Sequence, residues 1–174
     1  MQELGVELVA VDQSEAMVDV QRAKGIDARV GDVQALPFGD GEFDVAVAAW
    51  MLYHVTDLDG ALAELARVLR PGGVLVAVTN GVEHLQELWD LARRASRMGQ
   101  FNFRSDNGEE ILRRHFARVE RRDADGSVTM DDATVRRFAA SWEALAPLVE
   151  IPPLDQPVLV RRHSTVFVAR KASP

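Results

Sequence analysis

The sequence has no cysteine among its 174 residues. This excludes disulfide bonds, thiolate metal sites and a cysteine nucleophile, and a chain without thiols suits a reducing compartment. We therefore expect a cytoplasmic protein. The length suits one domain that can bury a core without cross-links or a structural metal.

Long apolar runs are also lacking. The longest, residues 45–53, is well short of the roughly 20 residues that a membrane-spanning helix needs. We expect no membrane partner. Basic residues are scarce in the first half, where residues 1–80 carry five Lys and Arg against thirteen Asp and Glu, and the whole chain has a formal charge of −7. This balance argues against a nucleic-acid partner, which would require a basic stripe.

Buried strands alternate with helices in the first half. Residues 6–11, 26–30, 43–49 and 74–79 are short, apolar and rich in valine, as is typical of strands covered by helices on both faces. Residues 59–69 predict an amphipathic helix that ends at Pro-Gly-Gly. The alternation predicts an α/β fold with a mostly parallel sheet.

The second half reads as helices followed by a closing strand. Residues 86–98, 109–116 and 131–145 predict helices, and residues 117–121 and 164–171 predict strands. No linker separates two domains, so we expect one domain over residues 1–174. Within it, residues 1–80 would bind a cofactor, a helical part, residues 81–157, would cover the substrate, and residues 158–174 would supply the closing strand.

Asp12 stands at the carboxyl end of the first predicted strand. Ligands of doubly wound sheets bind at this end of the strands, and an acid there can accept hydrogen bonds from ribose hydroxyls. The alternative is an aspartate that caps the helix after it, for which Ser14 is also available.

Asp32 takes the corresponding place after the second predicted strand. Its carboxylate could accept a hydrogen bond from an adenine amine, while the backbone N–H of Val33 meets a ring nitrogen and Leu36 or Phe38 packs nearby. Alternatively, Asp32 is a loop residue and residues 36–38 form a hydrophobic plug.

The two acids belong to a longer set of motifs. With them the sequence resembles class I S-adenosylmethionine-dependent methyltransferases, in particular the small-molecule group of ubiquinone and menaquinone biosynthesis. The motifs are D-x-S-x-x-M at residues 12–17, D-x-x-x-L-P-F at 32–38, F-D at 43–44, H-V at 54–55 and R-V-L-R-P-G-G at 67–73.

The resemblance implies a Rossmann-like, doubly wound, mostly parallel sheet with an antiparallel last strand. It also implies S-adenosylmethionine as cofactor and a small-molecule methyl acceptor. Under it Asp12 holds the ribose, and Asp32 and Val33 recognise the adenine edge. Gln13 and Met17 border the adenine, and Ala49 and Trp50 line the methionine end.

One family feature is missing before the first strand. The resemblance implies a preceding strand and a glycine-rich loop, for which residues 1–5 leave no room. Three solutions are open: the flanking strands pair directly, another chain supplies a strand, or the sequence is a truncated reading frame, which we favour. An unfilled gap should not stay open, because buried unpaired backbone groups cost on the order of 1–3 kcal/mol each. We expect this chain to bind cofactor weakly or not at all, and an unpaired strand edge would favour a homodimer.

Catalysis by methyl transfer requires no nucleophile from the protein, since positioning of the acceptor supplies most of the effect. His54 is the candidate base if the acceptor must lose a proton, and otherwise it packs against the following loop. Trp50 and Tyr53 could face the cationic sulfur or serve as packing.

The histidines lack the spacing of metal ligands, so we expect no metal site. Two rival functions are a nicotinamide-dependent oxidoreductase and a binding relative that lost the chemistry.

Overall fold

The computed structural model describes residues 5–92, 100–141, 145 and 148–173. Strands and helices alternate in its first half, and two long antiparallel strands lie in its second half. In chain order the elements are β1 (Val9–Asp12), α1 (Glu15–Arg22), β2 (Asp27–Val30), β3 (Phe43–Ala49), a 3₁₀ turn (Leu52–His54), α2 (Leu58–Val68), β4 (Leu69–Asn80), α3 (Gln86–Leu91), α4 (Gly108–Leu112), β5 (Arg118–Met130), α5 (Asp132–Ala140) and β6 (Val158–Arg170).

The strands form two sheets. β1 and β2 pair in parallel, and the second sheet has the order β3-β4-β6-β5. In it β3 is parallel to β4, whereas β6 is antiparallel to both of its neighbours. The expected α/β, Rossmann-like architecture with a mostly parallel sheet and an antiparallel last strand is confirmed.

A gap separates β1 from β3, because these two strands share no ladder of hydrogen bonds among the described residues. Direct pairing of the flanking strands is therefore not the solution adopted. In the single chain β3 is exposed, with Val45 at 54 % and Val47 at 67 %. Water can satisfy the backbone groups of an exposed edge, so the penalty for buried unpaired groups does not apply to the single chain. That another chain supplies a strand, or that the reading frame is truncated, stays a prediction.

The main core lies between α2 and the four-stranded sheet. α2 begins after Asp57, whose side chain accepts a hydrogen bond from the Gly60 N–H at 3.0 Å. Its apolar face buries Leu62 and Leu65 against a cluster that includes Leu75 and Phe167. A second core forms where α3, α5 and the free end of β6 meet. No helix in the described part of the chain is long and apolar enough to cross a lipid bilayer.

Several boundaries differ from those predicted. β1 starts at Val9, three residues later than expected, and α3 ends at Leu91, while residues 93–99 of that predicted helix lie outside the described residues. α5 ends at Ala140, short of the predicted residue 145. The predicted strand 117–121 is the start of the 13-residue β5, so residues 81–157 are not only helical.

Candidate functional site

Asp12 and Asp32 leave neighbouring strands at the same edge of the two-stranded sheet. In the parallel register Asp12 lies opposite Val30, and the Gly31 N–H donates to the Asp12 carbonyl oxygen at 3.1 Å. The Gln13 side chain contributes, after Gln34, to the lowered pKa of Asp32. Both acids thus lie at the carboxyl edge of this sheet, and their joint binding of a ligand remains a prediction.

The carboxylate of Asp12 is exposed and only partly engaged. Its Oδ1 accepts the Ser14 N–H at 2.8 Å, which forms a tight turn before α1. Ser14, not Asp12, is the N-cap residue, and its hydroxyl accepts the Met17 N–H at 3.4 Å. Among the described residues the second oxygen, Oδ2, has no hydrogen-bond partner, so it is available to a hydroxyl group.

Asp32 is held by Gln34. Its carboxylate accepts the Gln34 N–H at 2.9 Å and the side-chain amide at 3.0 and 3.2 Å, and these bonds lower the pKa of Asp32. The other end of that amide, Oε1, accepts the Asp57 N–H at 2.9 Å and the Thr56 hydroxyl at 3.2 Å. Asp32 therefore remains ionised in a loop that is tied to the start of α2. An incoming amine would join or replace the Gln34 amide.

The loop after Asp32 shows features of both interpretations. Val33 and Leu36 are half-buried against the main core, and the Phe38 ring meets the Phe43 ring edge-on with centroids 4.8 Å apart. Leu36 and Phe38 thus form the hydrophobic plug of the alternative interpretation. Val33 N–H makes no hydrogen bond to any described residue, so this donor stays available beside Asp32.

Trp50 ends β3 in a left-handed conformation, with φ of 54°. Such a conformation is uncommon outside glycine and marks a position that its surroundings hold in place. Here the Trp50 N–H donates to the Val78 carbonyl at 2.9 Å and the indole N–H to Asn80 Oδ1 at 3.1 Å. The side chain is 51 % exposed at the tip of β3, beside the tip of β4, and the preceding Ala49 is also exposed.

His54 and Tyr53 lie in an aromatic cluster. The Tyr53 ring stacks on Phe101 with centroids 4.7 Å apart and meets the exposed His54 ring at 4.5 Å. Burial raises the pKa of Tyr53. These contacts agree with the packing alternative, and the role of His54 as a base remains a prediction.

A cavity of about 460 Å³ opens beside Trp50, between the tip of β4 and the β5–β6 hairpin. Its polar wall was not predicted from the sequence and consists of Asn80, His84, Asp125, Arg162 and Ser164. Asn80 could have been found, because it follows the same strand-tip rule as the two acids. His84 and Arg162 offer no such signal, since nearly eighty residues separate them and only the pairing of β6 with β4 brings them together.

Gly81, which follows β4, packs closely under the His163 ring. A Cβ atom at this position would lie 2.5 Å from the His163 ring, so only glycine fits beneath the imidazole. Among the residues that the structure describes, no three His, Asp or Glu side chains are arranged as a metal site. His115, for example, pairs with Asp59 at 2.8 Å.

Comparison with known proteins finds relatives of the first half of the chain. Residues 1–77 match the methyltransferase domain family. The chain is 44 % identical over 80 residues to the ubiquinone/menaquinone biosynthesis C-methyltransferase of Dinoroseobacter shibae, a match that covers 41 % of this chain and 32 % of that protein. It is 38 % identical over 90 residues to the malonyl-[acyl-carrier protein] O-methyltransferase of Serratia marcescens, covering 51 % and 35 %.

The fold agrees with these matches over almost the whole chain. A solved S-adenosylmethionine-dependent methyltransferase of Thermotoga maritima superimposes with a TM-score of 0.62 at 18 % identity, covering 97 % of this chain and 75 % of that one. The matched segment spans about a third of the length of the two curated relatives. Over residues 1–77 the chain is therefore similar to the methyltransferase domain family, with relatives in ubiquinone and menaquinone biosynthesis.

Proposed function

We propose that this chain binds S-adenosylmethionine and positions a small-molecule acceptor for transfer of the methyl group. The observation that carries the proposal is the pair of carboxylates at neighbouring strand ends, Asp12 and Asp32, with the Trp50 ring at the next strand end along the chain. Carboxylates only accept hydrogen bonds, which suits the hydroxyls of a ribose and the amine of an adenine.

Each residue has a distinct part in this proposal. Asp12 Oδ2 accepts from the ribose, and Asp32 accepts from the adenine amine while the Val33 N–H donates to the ring. Gln13 and the 47 % exposed Met17 border the adenine. The residues present fit an adenosine, because the acceptors lie at a single sheet edge together with the Val33 N–H, a donor that has no partner among the described residues.

The acceptor side is formed by the β3 tip, where Ala49 and Trp50 face the methionine end. The reaction is an in-line displacement at a sulfonium methyl, in which well-oriented groups supply up to about 7–11 kcal/mol of the barrier reduction. The protein's part is to hold the acceptor in line and to exclude water. His54 is the proposed base for acceptors that lose a proton.

Weak binding is part of the proposal. The sheet that carries Asp12 and the sheet that carries Trp50 are not hydrogen-bonded to each other, so their separation is not fixed by a ladder. The same gap favours a second candidate, a relative that binds ligands without catalysis. We also propose a cytoplasmic setting without a nucleic-acid or membrane partner, and the charge of −7 argues against nucleic acid. The exposed edge of β3 supports association into homodimers.

Titration by two-dimensional NMR tests the cofactor site, because it detects millimolar binding. S-adenosylhomocysteine should shift amide signals around Asp12 and Asp32 with sub-millimolar to millimolar affinity. Asp12→Ala and Asp32→Ala should each weaken binding about tenfold or more, the usual effect of losing a hydrogen bond to a charged group. Asp27→Ala is the matched control, since this exposed acid lies at the opposite end of β2, and it should bind as the parent does.

Three results would contradict the proposal. Unchanged affinity in both variants removes the site assignment, and the absence of any shift at millimolar ligand removes the cofactor. Micromolar affinity of the parent chain refutes weak binding while leaving the function in place.

A further inference from the structure

The amide of Asn80 is oriented by its neighbours in the cavity beside Trp50. Its Oδ1 accepts two hydrogen bonds, from the Trp50 indole at 3.1 Å and from the Ser164 hydroxyl at 3.0 Å. The indole N–H can only donate, so the amide atom that faces it is the oxygen, and this fixes the opposite NH₂ group. No described residue accepts from that NH₂ group, so it presents two free donors at the cavity wall.

His84 adds a further donor. His84 Nδ1 lies 3.1 Å from the His163 backbone nitrogen and 3.0 Å from the His163 carbonyl oxygen, which also accepts the Gly81 N–H. Nδ1 can accept from the first or donate to the second, and we take the tautomer that satisfies the backbone N–H, in which the neutral ring carries its proton on Nε2. Burial lowers the pKa of His84 and keeps the ring neutral. Nε2–H has no acceptor among the described residues.

Arg162 supplies a positive charge to the same cavity. Its guanidinium forms no ion pair within the described part of the chain, whereas its neighbour Arg161 is paired with Glu83 and Glu87 at 3.0 and 2.6 Å. The one acid in the cavity wall, Asp125, is engaged with His163 Nδ1 at 3.0 Å. The wall is therefore rich in unused donors and has one unused cation.

We propose that this cavity binds the carboxylate of a small, flat methyl acceptor through Asn80, His84 and Arg162, with the Trp50 ring against its apolar body. The Asn80 amide, the His84 imidazole and the Arg162 guanidinium are three donor groups, which suit the two acceptor oxygens of a carboxylate. A hydrogen bond between a guanidinium and a carboxylate is of the stronger, charge-assisted kind. The half-exposed indole offers the apolar surface beside them. Calling this molecule the methyl acceptor rests on the proposed function, because Trp50 borders both sites.

Benzoate is the probe, and benzamide is its neutral isostere. The NMR signals of the Trp50 indole and of the Asn80 NH₂ group should shift on addition of benzoate, with no cofactor present. Benzamide should bind at least about fivefold more weakly, since it lacks the charge. Asn80→Asp keeps an oxygen for Trp50 and Ser164 but replaces the two donors by a negative charge, and should weaken benzoate binding about tenfold or more.

The matched pair of arginines isolates the charge. Arg162→Gln should weaken benzoate binding about threefold to tenfold, which is modest because the site is open to solvent. Arg161→Gln removes the same charge from the adjacent position and should leave the affinity unchanged. Equal binding of benzoate and benzamide, or equal effects of the two arginine variants, overturns the inference.

The outcome is separable from the cofactor titration. Benzoate binding without S-adenosylhomocysteine binding would retain the carboxylate site and reject the methyltransferase function of this chain. S-adenosylhomocysteine binding without benzoate binding would do the reverse.

Discussion

Single side chains decide whether the loop after β2, residues 31–42, keeps its shape, and Arg67 is the clearest case. Its guanidinium donates to Glu64, to Asp40 and to the carbonyl oxygens of Leu36 and Phe38. Glu64 in turn accepts the Leu36 N–H at 2.9 Å. This network attaches the loop that follows Asp32 to α2, at a distance from the ligand groups themselves.

The pH dependence of this network can be predicted. The Arg67 hydrogen bond lowers the pKa of Glu64, so the stabilisation is present above the unfolded value near 4.3 and is lost as pH falls through the folded value. At pH 7, Glu64→Gln should lower the free energy of unfolding by about 1 kcal/mol. Urea denaturation should show this difference shrinking toward pH 3.

Glu110→Gln is the control for that measurement, because its exposed carboxylate pairs only with Arg114 at the surface. It should have little effect at either pH. A Glu64→Gln difference that is the same at pH 7 and pH 3 would show that the ionised carboxylate is not responsible.

At the level of whole elements, the free edge of β3 is the most exposed apolar feature. Val45 and Val47 lie there, and an unpaired apolar strand is a template for association. We expect self-association at high concentration, and Val47→Lys should weaken it, as measured by sedimentation velocity across a concentration series.

Val20→Lys is the matched control, since Val20 is 47 % exposed on α1, away from the strand edge. It should associate as the parent does. A parent chain that stays monomeric at several hundred micromolar, or a Val20→Lys variant that is equally impaired, contradicts association through β3.

The strands that the sequence predicts well are those that alternate with helices in the first half. The strands 26–30 and 43–49 were predicted to within a residue, although most of their residues are exposed in the structure. β5 was underestimated: its middle, residues 121–127, is polar and exposed, so its partner β6 and not its own composition makes it a strand.

The residues of the candidate site also fall into two groups, those that a local sequence pattern indicates and those that it does not. Asp12 and Asp32 were singled out by the rule about strand ends, whereas Trp50 was singled out by the resemblance, and the roles of all three stay predictions. His84, Arg162 and Ser164 become neighbours only through long-range pairing, which no local pattern reports.

The molecule as a whole contains two separate sheets, which differ in how many apolar side chains they bury. The β1–α1–β2 body buries few side chains, chiefly Val18 and Ala28, whereas β4 and β6 form the centre of the larger sheet and bury Leu75 and Phe167. Local stability follows buried apolar contact, so the two bodies should open with different free energies.

Native-state hydrogen exchange measures this difference. Amide protons bonded between β1 and β2 should exchange through local opening at least about tenfold faster than those between β4 and β6, which should require global unfolding. Equal protection in both sheets would mean that they unfold as one unit despite the gap.

β6 is the last strand of the chain described, yet it lies between β4 and β5. During synthesis, β5 therefore leaves the ribosome with no neighbour to join, and its thirteen residues wait for Val158–Arg170. Non-local pairing of this kind is slow to form. One edge of β4 therefore stays unpaired in the nascent chain until β6 has been made. During that interval the exposed edge is prone to aggregation and is a target for chaperones.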